Sequence, residues 1–316
     1  EVSSEYDRLI ELYMRGGEVR PLRYGENPHQ KAAFHGALSE VFEQLHGKDL
    51  SYNNLLDIDA TLNYLKEFDE QCVAIIKHNN ACGLACDENQ PNAWRKALAG
   101  DPVSSFGGII GLNRNVSEET ALLMNELFFE VVIAPGYDEK ALEVLRSKKN
   151  RVILKLNTFA PQKTETRTLL NGSIVQEKDL VQEDKGDLTL VTKKSASADE
   201  VDDLLFANKI VKNSKSNTIV LARAGQLLGI GCGMTSRVDA LKHAINKASE
   251  FDLNLAGAAM ASDAFFPFPD CVEIADNAGI TTVIHPGGSI RDKESINYCD
   301  AHGMAMVTTG NRHFKH

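Results

Sequence analysis

The run Cys72-Val73-Ala74-Ile75-Ile76 is apolar at every position and ends on the tandem Lys77-His78. Five such residues capped by a cation and an imidazole read as a strand buried on both faces of a parallel sheet. In open α/β sheets, ligands bind outside the carboxyl ends of such strands, which makes Lys77 and His78 candidate functional groups. Asn79-Asn80-Ala81-Cys82-Gly83 follows, small or turn-forming residues expected to leave room for a ligand. A solvated strand exit would carry the same residue types, so the tandem takes its meaning from the rest of the chain.

Around this strand the chain alternates. Ser4 to Arg15 carries an amphipathic helical pattern ended by Gly16-Gly17, and Leu55, Ile58, Leu62 and Leu65 recur at helical spacing in a second helix. Pro91–Ala99 reads as helix, Gly108–Leu112 as a buried strand, and Ser117 with Glu118 and Glu119 as the start of a helix running to about Phe129. Strand Val131–Ala134, helix Asp138–Lys148 and strand Arg151–Leu156 complete a layered α/β stretch. From Pro161 to Ser197 the texture turns polar and charged, with one expected strand over Arg167–Gln176. Ser197-Ala-Asp-Glu200 is a capping box opening a helix to about Val211. Thr218–Arg223 and Gln226–Gly231 form an expected hairpin turning at Ala224-Gly225. A helix over Thr235–Glu250 and strands at Ala258–Ala261, Thr281–Ile284 and Ala305–Thr308 resume the alternation. The two stretches suggest a distant duplication, with units over 1–165 and 166–316.

Composition narrows the function. At 43% hydrophobic and 25% charged over 316 residues, the chain has an ordinary globular make-up with room for a large core. Its formal net charge of −10 argues against general nucleic-acid binding, which needs a basic face. No apolar stretch approaches the ~18 residues of a membrane span, and Glu1-Val2-Ser3-Ser4-Glu5 lacks the features of a secretory signal. Six cysteines in so long a chain do not make a disulfide framework, so a cytoplasmic setting is expected. An anionic small molecule remains compatible, but it would need local cations.

Several segments can carry chemistry. Arg23-Tyr24-Gly25-Glu26-Asn27-Pro28-His29-Gln30 pairs a guanidinium with a hydroxyl in a loop, a combination suited to anions. Asp101-Pro102-Val103-Ser104-Ser105-Phe106-Gly107-Gly108 allows close backbone approach, although a tight turn into the next strand explains it as well. Gly229-Ile230-Gly231-Cys232-Gly233 departs from G-x-G-x-x-G, so a dinucleotide loop is disfavoured, yet Arg237 in the first turn of the following helix could hold an anion. Ser262-Asp263-Ala264-Phe265-Phe266-Pro267-Phe268-Pro269-Asp270 reads as a rigid apolar wall beside a carboxylate that can accept two N–H bonds. Thr309-Gly310-Asn311-Arg312-His313-Phe314-Lys315-His316 reads as a docked tail contributing to a site. Zinc-type spacings, a P-loop and a G-x-S-x-G elbow are all missing from the sequence, which disfavours metal, triphosphatase and hydrolase readings.

Together, LRYGENPHQ (22–30), IKHNNACG (76–83), DPVSSFGGII (101–110), VIAPGY (132–137), KSNTIV (215–220), GIGCGMTSRVDA (229–240), SDAFFPFPD (262–270), PGGSIRD (286–292) and TGNRHFKH (309–316) resemble the transformylase part of the bifunctional purine-biosynthesis family. That family formylates aminoimidazole carboxamide ribonucleotide (AICAR), and its N-terminal cyclohydrolase domain has no expected counterpart here. Two departures stand out: Ala81 replaces the proline of an N-P-C-G block, and Met234 stands where glutamine is usual. The resemblance implies two cytidine-deaminase-like three-layer α/β/α units without zinc, joined by a mixed connector, and a homodimer with the site at its interface. It implies AICAR and 10-formyltetrahydrofolate as substrates, with no catalytic metal.

By the same resemblance His78 accepts the proton of the 5-amino group, Lys77 stabilises the transition state and assists the departing folate nitrogen, and Asn217 holds the reacting groups in register. Arg23, Tyr24, Gly107, Glu130, Phe265 and Arg312 match AICAR-binding positions. Val238, Asp270, Ser289 and Ile290 match folate-binding positions, with Arg237 and Pro267 beside them. A non-catalytic nucleotide-binding module and a nicotinamide-dependent oxidoreductase are the competing expectations. The retained Lys77, His78 and Asn217 oppose the first, and the imperfect glycine loop opposes the second.

Overall fold

The computed structural model describes residues 19–158, 162–266 and 268–316. The helix expected over Ser4–Arg15 lies outside these residues, as does Pro267.

A hairpin of β1 (Val19–Leu22) and β2 (Ala32–His35) precedes a short helix, α1 (Leu38–Val41). The chain then runs β3 (Phe42–His46), α2 (Tyr52–Leu65), β4 (Cys72–Lys77), β5 (Asn80–Cys86), α3 (Gln90–Gly100), β6 (Ile109–Leu112), α4 (Glu118–Met124), β7 (Val131–Ala134), α5 (Glu139–Arg146) and β8 (Val152–Leu156). A second hairpin, β9 (Thr164–Leu169) with β10 (Gly172–Glu177), leads on to β11 (Thr189–Leu190). Next come α6 (Ala198–Asn213), β12 (Ile219–Arg223), β13 (Gln226–Gly231), α7 (Arg237–Glu250), β14 (Ala259–Ser262), α8 (Asp270–Asn277), β15 (Thr282–His285), α9 (Asp292–His302) and β16 (Ala305–Thr308). Side-chain caps fix the helix starts. Ser51 and Asn54 form a capping box on α2, and Ser197 with Glu200 forms another on α6.

All the strands except the two hairpins β1–β2 and β9–β10 join one twelve-stranded mixed sheet, in the order β11-β16-β15-β14-β12-β13-β5-β4-β6-β7-β8-β3. The order is a repeat. From the seam outward, each half has an antiparallel hairpin, an antiparallel neighbour, two parallel steps and an antiparallel edge strand. The helices repeat in step, so the two halves share one topology. The halves meet where β13 runs antiparallel to β5, with Gln226 opposite Ala85.

The run Cys72–Ile76 is fully buried, as its composition implies, but its neighbours β5 and β6 are both antiparallel to it. Burial on two faces comes from the layers and not from strand direction. Cys72, Ala74 and Ile76 face a core containing Tyr64 and Leu65 of α2 together with Leu204 and Ile210 of α6. Val73 and Ile75 face Trp94 and Ala97 of α3. Residues 80–83 are also not an open loop but the start of β5.

Other expectations shift. The helix opening at Ser117 stops at Met124, because the segment beyond turns inward to bury Phe129, over whose ring Arg151 sits at 4.0 Å. The single strand expected over Arg167–Gln176 is a hairpin, turned at Leu170 and Asn171. Gly229 and Gly231 lie in β13, where a Cβ would overlap the carbonyl oxygens of Ala244 and Ala240 on α7. They allow a helix to pack closely on a strand, which is why the segment only imitates a dinucleotide loop.

Candidate active site

Lys77 and His78 sit where β4 turns into β5. Lys77 pairs with Asn80, and the two residues between, His78 and Asn79, have φ of 52° and 65°. Two central residues in the left-handed region are what a two-residue type I′ hairpin demands. His78 is thereby exposed at the tip of a tight turn whose flanking strand is buried. Lys77 donates to the carbonyl of Phe106 at 2.8 Å. Asp57 on α2 accepts the Asn79 backbone N–H at 2.6 Å. Burial pushes the Asp57 carboxyl above the usual carboxylate range, against the backbone amides of Asn79 and His78, which favour its charge.

The strand directions place every other described candidate along the same edge of the sheet. Gly107 and Glu130 precede β6 and β7, which run opposite to β4. In the second half, Asn217 precedes β12, and Phe265, Ser289 and Arg312 follow β14, β15 and β16. At this edge β14, β15 and β16 of the second half present their carboxyl ends, as β4 does in the first half, whereas β6 and β7 present their amino ends.

Two groups form along this edge. In the first half, Gly107 donates its N–H to Phe128, and the Glu130 carboxylate accepts from Lys48 and Asn54 at 3.2 Å each. Asn53 holds the Glu26 carbonyl, which brings the loop of Arg23 and Tyr24 to the start of α2. In the second half the tail is docked, as its sequence suggests. Ser216 and Lys315 exchange hydrogen bonds, and His313 donates its backbone N–H to Asp263. Arg312 lies 4.3 Å from the Phe314 ring centre. Arg237 pairs with the buried Asp263 at 3.1 Å and donates to Ser262. Val238 packs into the core beneath. Arg291 lies over Phe268 at 4.7 Å, joining the loop of Ser289 and the fully exposed Ile290 to the approach of Asp270, which opens α8. Of the expected apolar wall, Phe266 is core, whereas Phe265 and Phe268 face solvent.

Between the groups lies a cleft of about 460 Å³, lined by Lys77, His78, Asn80, Cys232, His243 and Lys247 among others. Cys232 donates to Asn80 at 3.2 Å across the seam. Burial pushes the cleft thiol Cys82 up to about 12, so it stays protonated near neutrality. Asn217 donates to the backbone carbonyl of Met234 at 2.9 Å, a contact that does not depend on the Met234 side chain. Ala81 lies buried in β5 beside a register shift, a place where a sheet also tolerates proline. Among the described residues no group of three or more His, Cys, Asp or Glu could hold a metal ion, and no helix is long and apolar enough to cross a membrane. All six cysteines are free.

Fold and site define a mixed α/β protein of repeated topology that presents a Lys-His turn, anchored arginines and an ordered C-terminal tail along one sheet edge. The family described as the AICARFT/IMPCHase bienzyme matches residues 1–247, and the chain belongs to it. It is 57% identical over its whole length to the bifunctional purine biosynthesis protein PurH of Bacteroides thetaiotaomicron. It is likewise 50% identical to that of Caldicellulosiruptor saccharolyticus and 48% identical to that of Aquifex aeolicus. The chain spans 64%, 66% and 64% of these relatives' lengths.

Sequence reasoning missed Asp57. A carboxylate on a helical stripe reads as solvated surface, and only the hairpin that folds back onto α2 reveals its partner.

Proposed function

We propose that this chain transfers the formyl group of 10-formyltetrahydrofolate to the 5-amino group of AICAR, a step in the purine biosynthesis for which its relatives are named. The observation that carries this reading is the Lys77-His78 pair at the tip of a left-handed turn, on the edge where the other matched positions collect. The amine attacks the formyl carbon and an oxyanion forms. His78 takes the amine proton, a task suited to imidazole near neutral pH. Lys77 offsets the oxyanion and assists the folate nitrogen as its bond to carbon breaks. Asn217 keeps the reacting groups in register.

Arg23, Tyr24, Gly107, Glu130, Phe265 and Arg312 take AICAR in this reading; Arg237, Val238, Pro267, Asp270, Ser289 and Ile290 take the folate. A homodimer with shared sites is part of the proposal. The strands next to Glu130 and Arg312, β7 and β16, are eight strand spacings apart. At about 4.8 Å per spacing this is roughly 40 Å, farther than one small nucleotide reaches. A second subunit supplies the missing side of each site. The two halves are taken as cytidine-deaminase-like units, 1–165 and 166–316, and the setting as cytoplasmic, without nucleic-acid or membrane partners. The test is direct: the purified chain, given AICAR and 10-formyltetrahydrofolate, releases tetrahydrofolate and formylated nucleotide. Saturating substrates without turnover overturn the proposal.

A further inference from the structure

We infer that Asp57 is a positioning residue for His78, fixing from helix α2 the turn that presents the imidazole to the reacting amine. The inference rests on the formyl-transfer reading above. His78 and Asn79 both occupy left-handed backbone conformations, which non-glycine residues keep only where surrounding contacts over-determine them. Asp57 supplies such a contact from outside the hairpin by accepting the Asn79 N–H at 2.6 Å. With its side-chain amide swapped into the orientation that satisfies its neighbours, Asn79 also donates to the Leu56 carbonyl at 3.0 Å and to Asp57 at 3.2 Å. The turn is thus fastened to two successive residues of one helix. Inside the hairpin, Asn80 holds the His78 carbonyl at 2.9 Å.

Helix α2 is a firm support. Its first turn is closed by the Ser51–Asn54 box, and Asn54 also reaches Glu130. Near its end the fully buried Tyr64 shares a 2.9 Å hydrogen bond with Ser214. The Asp57 carboxylate also lies close enough to His78 for their charges to interact. Asp57 touches neither substrate in this arrangement; it acts through His78.

Asp57→Ala and Asp57→Asn, each made in the wild-type and His78→Ala backgrounds of the full chain, test this. Asp57→Ala is expected to lower kcat at least tenfold, within the roughly hundredfold that a misplacement of about 1 Å costs. AICAR affinity by calorimetry should stay within about twofold. Asp57→Asn, which keeps an acceptor for Asn79, should recover part of the loss. In the His78→Ala background Asp57→Ala should cost nothing further, because the two residues act as a unit. Amide hydrogen exchange gives a readout independent of turnover: Asn79 should lose protection in Asp57→Ala. A kcat within twofold of wild type, an undiminished cost in the His78→Ala background, or unchanged Asn79 protection each overturns the inference. If Asp57→Ala does not fold, Asp57→Asn in the two backgrounds carries the same comparison. Failure of the formyl-transfer reading looks different: wild type shows no turnover, or His78→Ala retains it.

Discussion

His78 occupies a backbone conformation in which few side chains with a Cβ are found, and its imidazole stands at the tip of a turn held from behind. Replacing it with alanine is expected to lower formyl-transfer turnover by about 10²–10⁴-fold, the usual worth of a general acid or base, with a modest loss of AICAR affinity. Steady-state kinetics with near-wild-type turnover would remove it from the mechanism. Asp270 tests recognition instead. At the start of α8 one of its oxygens already accepts the Cys271 N–H at 2.8 Å, so its orientation is set before any ligand arrives. Asp270→Asn replaces an acceptor with a donor at the position that the proposed reading assigns to the pterin amidine edge. A charge-assisted hydrogen bond is worth about 1.5–3 kcal/mol, so folate affinity should fall roughly ten- to a hundredfold while AICAR affinity barely moves. Separate calorimetric titrations that weaken both ligands equally would make Asp270 a structural residue.

At the scale of elements, α2, α6 and the connector are tied through Glu67. Its carboxylate meets Lys212 at 3.1 Å with both side chains almost wholly buried, and Gln182 and Asn213 donate to it as well. Glu67→Ala strands a buried ammonium and should cost about 3–5 kcal/mol in chemical denaturation; a loss below about 1 kcal/mol would show the site to be wet. The tail is fastened by His313, 2.6 Å from Asp179 and 2.9 Å from Glu183. Burial alone would lower its pKa, but the hydrogen bonds it donates to the two carboxylates outweigh that and push it up to about 9. Because the folded value lies above the unfolded one, about 6.5, the stabilisation is complete below about pH 6.5 and is lost as pH rises through 9. The same pairing holds Asp179 and Glu183 below their usual range, so acid removes it again at lower pH. The melting-temperature advantage of wild type over His313→Leu should therefore peak near pH 6 and fade by pH 10; a flat difference would deny the charge. Strands such as Val131–Ala134 were legible because a continuous apolar run needs two covered faces. The direction of β4's neighbours was not, since pairing depends on chain far away in sequence. Helices α8 and α9 went unread beside prolines and glycines that announce loops, and the partners of Arg237 emerged only when β14 placed Asp263 beside it.

For the whole molecule, the span between Glu130 and Arg312 makes the dimer the critical test. Mixing inactive His78→Ala chains with inactive Asp270→Ala chains should partly restore activity if the two residues reach one site from different subunits. Heterodimers that form without recovery would place both in one subunit's share. The duplicated topology also has an electrostatic consequence. Because the halves meet antiparallel, three of the four helices flanking the sheet in the second half, α7, α8 and α9, begin at the functional edge. In the first half α3, α4 and α5 end there. Each helix start carries roughly half a positive elementary charge and each end the negative equivalent. The edge is therefore polarised lengthwise, inviting anions at one end and amines at the other, in a chain whose net charge of −10 would otherwise repel a phosphate. A second copy turned end for end would set the inviting stretch of one chain against the opposite stretch of the next.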